Sequence, residues 1–316
     1  MSRNDNLLGY VAELYYERGL SQKEIGAIIN ASRPTVSRLI EDAKKQGIVK
    51  IIIDTPVTKN AKLSNKLRKT FNLHDAIVVC GDFDFDKSIE ICGKAAASLL
   101  STYLQSNMKL GIAWGRCINS VINHLDINDL ENVQVAQMVG CMHMGNPNID
   151  GFSAAQRCAR KLNGTYTSIN APLFVEGKEV YNYLISEPVI KDSLNIAKKV
   201  DIVINGISPA NDEKNSIYQS GYFHSYPLDK FLKNGAVATM LGRFIDINGK
   251  EIKLDNIYSL STPLDVLRKV KYSFGINATA DKAEATLAVL NGKYINILIV
   301  DEPLAKRLLE LKGLSY

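Results

Sequence analysis

Apolar positions at Leu7, Leu8, Val11, Leu14 and Tyr15 recur at helical spacing up to Arg18-Gly19, which predicts a first helix that Gly19 can end in the left-handed conformation. Ser21-Gln22-Lys23-Glu24 reads as a capping box, with Leu20 and Ile25 as its hydrophobic staple, so a second helix starts there with Ile25, Ile28 and Ile29 inward. That helix stops at Asn30-Ala31, since Asn tolerates positive φ, and Ser32 caps a third helix whose first turn accommodates Pro34. Two short helices joined by so brief a turn have the helix-turn-helix shape.

In the third helix Val36, Leu39, Ile40 and Ala43 form one stripe, which leaves Pro34, Arg38, Glu41 and Lys45 facing away, with Arg33 and Ser37 on the flank. Such a face suits a major groove: Arg binds guanine bidentately, Ser and Thr bond phosphates or bases, and the helix N-terminus attracts a phosphate. The candidate DNA-contacting residues are therefore Gln22, Ser32, Arg33, Pro34, Thr35, Ser37 and Arg38. A helical hairpin packed against the body is the plain alternative. Next, Ile48 to Ile53 alternates as a strand, Asp54-Thr55-Pro56 breaks it, and Lys59 to Lys69 reads as an amphipathic linker helix with Leu63, Leu67 and Phe71 inward.

From Ala76 strand and helix patterns alternate. Strands are expected at Ala76 to Cys80, Lys109 to Ala113, Val133 to Val139, Thr165 to Ile169, Asp201 to Asn205, Ala236 to Leu241 and Tyr294 to Val300, and helices at Ile89 to Tyr103, Ile118 to Leu125, Ala154 to Leu162 and Leu304 to Leu311. This spacing predicts an α/β fold with a doubly wound, mostly parallel sheet covered on both faces.

Composition narrows the class. With 316 residues, 46% apolar and 22% charged, the chain is an ordinary folded one with room for two domains. Its longest apolar run is far short of the roughly 18–20 residues of a membrane span, and a cytoplasmic protein without a membrane partner is expected. Cys80, Cys92, Cys117, Cys141 and Cys158 are spread out without a Cys-x-x-Cys, and read as reduced thiols rather than a disulfide framework or zinc cage. Residues 1–72 hold 13 Lys/Arg against 7 Asp/Glu, whereas residues 73–316 hold 25 against 26. A basic head on a neutral body suits a polyanion, although a solvated basic face would show the same asymmetry.

Ligands on doubly wound sheets bind outside the carboxyl ends of the strands. The turns to inspect are Trp114-Gly115-Arg116-Cys117, Gly140 to Asp150, Gly206-Ile207-Ser208 and Ala278 to Lys282, with Arg116, Arg243 and Lys282 as nearby cations. None is a Gly-x-Gly-x-x-Gly or Walker loop, so no nucleotide cofactor is expected. His74, His124, His143 and His224 lack metal-ligand spacing; only His143, in a glycine-flanked loop, is kept as a ligand contact. Asp301-Glu302 reads as the cap of the final helix more readily than as a catalytic carboxylate pair.

One ordered series carries a resemblance: Leu14-Tyr15-Tyr16, Leu20 to Ile25, Ser32 to Leu39, Gly47-Ile48-Val49, Gly111 to Arg116, Ser220-Gly221-Tyr222, Gly235-Ala236-Val237, Gly242-Arg243-Phe244, Lys282, and Gly292 to Asn296. It resembles the SorC and DeoR type of bacterial sugar-responsive transcription regulators over nearly the whole chain. The resemblance implies a helix-turn-helix DNA-binding domain at 1–56, a linker helix at 57–72, and a sugar-binding and oligomerisation domain at 73–316. The body would be similar to sugar-phosphate isomerases and deaminases, yet act as a sensor that forms dimers or tetramers. It also implies effector contacts at Trp114, Gly115, Arg116, Cys117, Gly140, His143, Arg243 and Lys282. Where the family usually has Gly-Gly this chain has Ala278-Thr279 and Gly140-Cys141, and Val139 stands where some relatives have a Schiff-base lysine, so a covalent adduct is not expected. Loss of those glycines also weakens the case for a phosphorylated effector.

The expected function is thus a non-enzymatic regulator that binds double-stranded operator DNA under control of a small sugar or sugar phosphate. The alternative is a sugar-phosphate isomerase or deaminase with an appended helical domain, which needs a general base and finds only Asp246, Asp301 or Glu302. A head used only for protein partners would lack steep salt dependence on DNA.

Overall fold

The computed structural model describes residues 3–49, 57–142, 151–212, 216–219 and 229–316. The chain divides into two compact units, Met1–Thr55 and Pro56–Tyr316.

The first unit holds helices α1 (Arg3–Tyr16), α2 (Gln22–Ile29) and α3 (Arg33–Lys45). Ser21 makes the reciprocal capping box with Glu24, Asn30 closes α2 in the left-handed conformation at φ 53°, and Ser32 caps α3. Val11, Leu14, Ile25, Val36 and Ile40 form its core, and Leu8, Ala12 and Ala43 a second small cluster. Ile28 departs from expectation, for it is 51% exposed. The packed arc of α2 runs from Ile25 through Ile29 to the buried Gly26, which leaves Ile28 outside it. Gly26 is needed there, since a Cβ would lie 2.6 Å from the Ala31 carbonyl oxygen. Of the strand expected at Ile48 to Ile53, Ile48 and Val49 are not in a strand and the rest falls outside the described residues.

The second unit opens with α4 (Ala61–Thr70). Its strands in chain order are β1 (Asp75–Val79), β2 (Lys109–Ile112), β3 (Gln134–Gln137), β4 (Thr165–Thr167), β5 (Phe174–Glu176), β6 (Ile202–Gly206), β7 (Ser208–Pro209), β8 (Ala236–Met240), β9 (Arg243–Asp246), β10 (Glu251–Ile252), β11 (Ile257–Ser259), β12 (Tyr272–Ile276) and β13 (Ile297–Asp301). Seven form one sheet in the order β1-β13-β12-β6-β2-β3-β4, and every pairing in it is parallel. Successive side chains alternate between two cores: Ile297 and Ile299 join Ile77, Val79, Ile202 and Ile204 on one face, Leu298 and Val300 join Ala76, Val78 and Val203 on the other. α5 (Phe85–Tyr103), α6 (Arg116–His124) and α7 (Gly151–Lys161) supply the first core; the second holds α4, the helices Ala283–Asn291 and Glu302–Leu311, and an antiparallel sheet.

Ala236–Leu241, expected in the parallel sheet, instead forms β8 of that antiparallel sheet, ordered β10-β9-β8-β7. The two-residue turn Leu241-Gly242, with φ at 51° and 66°, folds β9 directly back on β8, whereas a parallel neighbour would need a long crossover. A strand absent from the expectation, β12, sits between β6 and β13.

The helix read as a linker packs into the body. Leu63 and Leu67 enter the larger core; Ser64 Oγ accepts the Val78 N–H at 2.9 Å, and Asn60 N–H donates to the Val78 carbonyl at 2.8 Å. β1 is an edge strand, so these bonds occupy backbone groups that would otherwise face outward. Leu67→Ala, emptying a fully buried site, is expected to cost about 2–5 kcal/mol. Urea unfolding followed by circular dichroism reads this, and an unchanged midpoint would show that α4 is no part of the body's cooperative unit.

Candidate functional site

Helix α3 buries Val36, Ile40 and Ala43 and exposes Arg33, Pro34, Thr35 and Arg38, with Ser37 half-buried; Gln22, the first residue of α2, is half-buried as well. The Ser32 Oγ accepts the Thr35 N–H at 3.3 Å and lies 2.8 Å from the Thr35 hydroxyl, which fixes both side chains at the helix start. Among the described residues no side-chain partner engages Arg33 or Arg38. Arg18 differs: its guanidinium is bound at 2.6 Å to Glu13. Cations held on a rigid helix face without an internal counter-charge suit an external polyanion.

In the body, the strand order reverses between β2 and β6, since β3 and β4 build outward from β2 while β12 and β13 build outward from β6. A crevice at the carboxyl ends is the expected ligand site at such a reversal. The cleft found there is lined from β2 by Trp114, Gly115, Arg116 and Cys117, from β6 by Gly206, Ile207 and Ser208, and from β12 by Asn277 and Lys282. Phe85, Asp212, Thr239, Met240, Leu241 and Gly242 complete much of the wall. Its cavity volume is about 70 Å³.

Gly115, at φ 116°, makes the turn into α6, whose start has no side-chain cap. The Arg116 guanidinium stacks 4.3 Å from the Phe85 ring centroid and pairs with Asp86 at 3.3 Å. Lys282 is buried; its Nζ donates to Asp212 Oδ2 at 2.8 Å and lies 5.1 Å from the Phe85 ring centroid. Burial pushes the Cys117 thiol up to about 11, against the pull of Lys282 and Arg116. It therefore remains a neutral thiol near pH 7.

Behind the cleft, Asp301 is buried, and its Oδ2 accepts the Thr279 N–H at 2.9 Å while its Oδ1 accepts the Leu304 N–H at 3.1 Å. Burial raises its pKa, opposed by those two amide bonds. Asp301 thus caps the final helix and pins the loop after β12. Asp246 accepts the Lys250 N–H at 2.8 Å, and Glu302 accepts from Asn60 Nδ2 at 2.6 Å. None of these three carboxylates is among the described residues lining the cleft. Among the described residues no cluster of His, Cys, Asp or Glu could hold a metal, and no helix is long and apolar enough to cross a membrane.

Of the expected effector contacts, the structure brings together Trp114, Gly115, Arg116, Cys117 and Lys282. Arg243 does not join them: its guanidinium bonds the Thr262 carbonyl at 3.1 Å, the Ser261 carbonyl at 2.8 Å and Glu251 at 2.6 Å, a structural knot beside a separate cavity of about 340 Å³. Gly140 also lies apart, its N–H on the Leu260 carbonyl and its Cα so near the Ala171 and Pro172 carbonyls that a Cβ would sit 2.8 Å from both. His143 falls outside the described residues. The sequence reading missed Phe85, Asp212 and Asn277. Only Asn277 had a local signal, as the residue just before the flagged loop.

Residues 55–310 match the family model Sugar-bind, described as "Putative sugar-binding domain". The chain is similar to the Escherichia coli (strain K12) protein named uncharacterized transcriptional regulator YjhU, 29% identical over 97% of this chain and 95% of that one. It is 26% identical to the sorbitol operon regulator of Klebsiella pneumoniae over 96% of this chain and 98% of the other. In fold it resembles the crystal structure of full-length SorC from Klebsiella pneumoniae, with a TM-score of 0.73 and 24% identity over 98% of this chain and 100% of that one.

The buried thiol gives a direct check on the cleft. Brief iodoacetamide treatment of the native protein near neutral pH is expected to leave Cys117 unmodified in peptide mass spectra, and unfolding in urea should make it react. Rapid alkylation of Cys117 in the native chain would contradict its placement.

Proposed function

We propose, from the premise that this chain belongs to the sugar-binding-domain family whose model it matches over residues 55–310, that it is a DNA-binding transcription regulator of a carbohydrate catabolic operon, controlled by a small sugar or sugar phosphate. In this reading residues 1–56 contact operator DNA, residues 73–316 sense the metabolite and self-associate as a dimer or tetramer, and residues 57–72 join them in the chain. The protein works in the cytoplasm.

The observation that carries the reading is the exposed face of α3, where neither Arg33 nor Arg38 makes an ion pair among the described residues while Val36 and Ile40 are buried. Arg33, Ser37 and Arg38 read base edges, Thr35 contacts a phosphate, and Gln22 at the start of α2 with Ser32 and Pro34 at the start of α3 sets the register. Trp114, Gly115, Arg116, Cys117 and Lys282 contact the effector. Val180, Tyr183 and Val189, all at least half exposed on α8 (Lys178–Ser186) and α9 (Pro188–Ala197), supply apolar surface for self-association. The relatives are named transcriptional regulators, and an enzymatic reading finds its candidate bases committed elsewhere. Control requires that the effector bind one arrangement of the DNA-binding heads more tightly than another.

Arg38→Ala is expected to cost about 1–3 kcal/mol of operator binding in gel-shift titrations, with the oligomer mass by light scattering unchanged. Unaltered affinity would remove α3 from the interface. Trp114 is the single tryptophan of the chain and lines the cleft. Titration with an effector should therefore change its emission, and Lys282→Ala should abolish that response. An effector that binds with no dependence on Lys282 would place the sensor elsewhere.

A further inference from the structure

We infer that the cleft is built for an uncharged polyhydroxylated molecule, a free sugar or polyol, rather than for a phosphate ester, and that Asp212 sets this preference. The inference rests on the reading of the cleft as the effector site.

The first observation is charge balance. Lys282 and Arg116 are the cations among the described lining residues, and each already faces a carboxylate. The Lys282–Asp212 pair spans 2.8 Å with side chains only 7% and 21% exposed, so the ammonium is neutralised where solvent screens little. Arg116 pairs with Asp86 at 3.3 Å while its guanidinium plane covers Phe85. A phosphate ester brings about −1.5 to −2 charges near pH 7. It would have to meet the Asp212 carboxylate or pull Lys282 away from it.

The second observation concerns the loop amides after β12. The Ala278 N–H is taken by Asn277 Oδ1 at 3.0 Å, the Thr279 N–H by Asp301 Oδ2 at 2.9 Å, and the Lys282 N–H by the Thr279 carbonyl at 3.1 Å. The chain's own buried carboxylate thus occupies the Thr279 amide, and the Ala278 and Lys282 amides are held by other groups of the same loop, so these three do not point at a bound oxyanion. The start of α6 has no side-chain cap, and its amides can donate to a sugar hydroxyl.

The third observation is the sense of the hydrogen bonds. An ionised carboxylate only accepts, and a fully ionised phosphate also only accepts, so Asp212 and a phosphate have no proton to share. A hydroxyl can donate to Asp212 and accept from Lys282 at once. Trp114 adds aromatic surface for the C–H face of a sugar ring, and Ser208 adds a further hydroxyl. Asp212 thereby favours neutral polyols and repels their phosphates.

The test uses the full-length chain, with Trp114 emission and thermal shift read for pentoses, hexoses and hexitols, each beside its monophosphate, and for inorganic phosphate. The wild type should bind at least one neutral compound, with its monophosphate at least ~10-fold weaker and inorganic phosphate silent. Asp212→Asn should narrow or invert that ratio by ~10-fold or more and let inorganic phosphate bind, through the freed ammonium. The wild-type ratio stands as evidence even if the variant folds poorly. A wild type that prefers the phosphate ester, with Lys282→Ala abolishing the binding, overturns this inference and leaves the effector reading of the cleft intact. Binding that ignores Lys282→Ala, or silence across the whole panel, overturns both.

Discussion

A sheet whose strands all run the same way collects every carboxyl end on one side, and the reversal of strand order between β2 and β6 forces the following loops apart there. The cleft is a consequence of that topology before it is a consequence of any side chain. Trp114 to Cys117 diverge toward α6 on one side of the gap, and Gly206 to Ser208 lead away on the other. The β8-β9 turn then contributes Met240 to Gly242 from a different sheet. Asp301, at the end of β13, holds both the final helix and the Thr279 loop through two amide bonds, so the position of Lys282 depends on a residue that does not line the cleft.

The helical head was almost fully legible in the sequence, because its determinants are local. Ser21 with Glu24, Asn30, and Ser32 with Pro34 are short-range signals whose geometry follows from a few neighbouring backbone groups. The tertiary determinants of the head were less visible. Gly26 is required by the approach of the Ala31 carbonyl, and the outward turn of Ile28 follows from that same packing.

In the body, strands buried on both faces announced themselves as apolar runs, as in β1, β6 and β13. β12 did not, since Tyr272-Ser273-Phe274-Gly275-Ile276 contains two residues that read as breakers. Ser273 is buried with its hydroxyl on the Tyr294 carbonyl, and Gly275 is small because a Cβ would meet Ile295 at 2.5 Å. The same distinction divides the candidate site. Trp114 to Cys117 and Lys282 belong to turns that sequence marks, but Asp212 and Phe85 reach the cleft from distant segments that no local pattern connects. Arg243 shows the converse, a cation beside a glycine turn whose guanidinium is consumed by two carbonyls and Glu251.

The two borders of the parallel sheet are guarded differently. β4 is three residues long with two threonines, too short and polar to recruit another strand. β1 carries Ala-Ile-Val-Val, the kind of sequence that templates cross-β stacking, and α4 with the Thr58-Lys59-Asn60 segment before it stands against it. Severing the chain at residue 72 would bare a sticky margin and favour insoluble aggregates, whereas a cut near residue 56 would carry the shield along. In evolutionary exchange of the helical heads, the viable joint therefore lies ahead of α4.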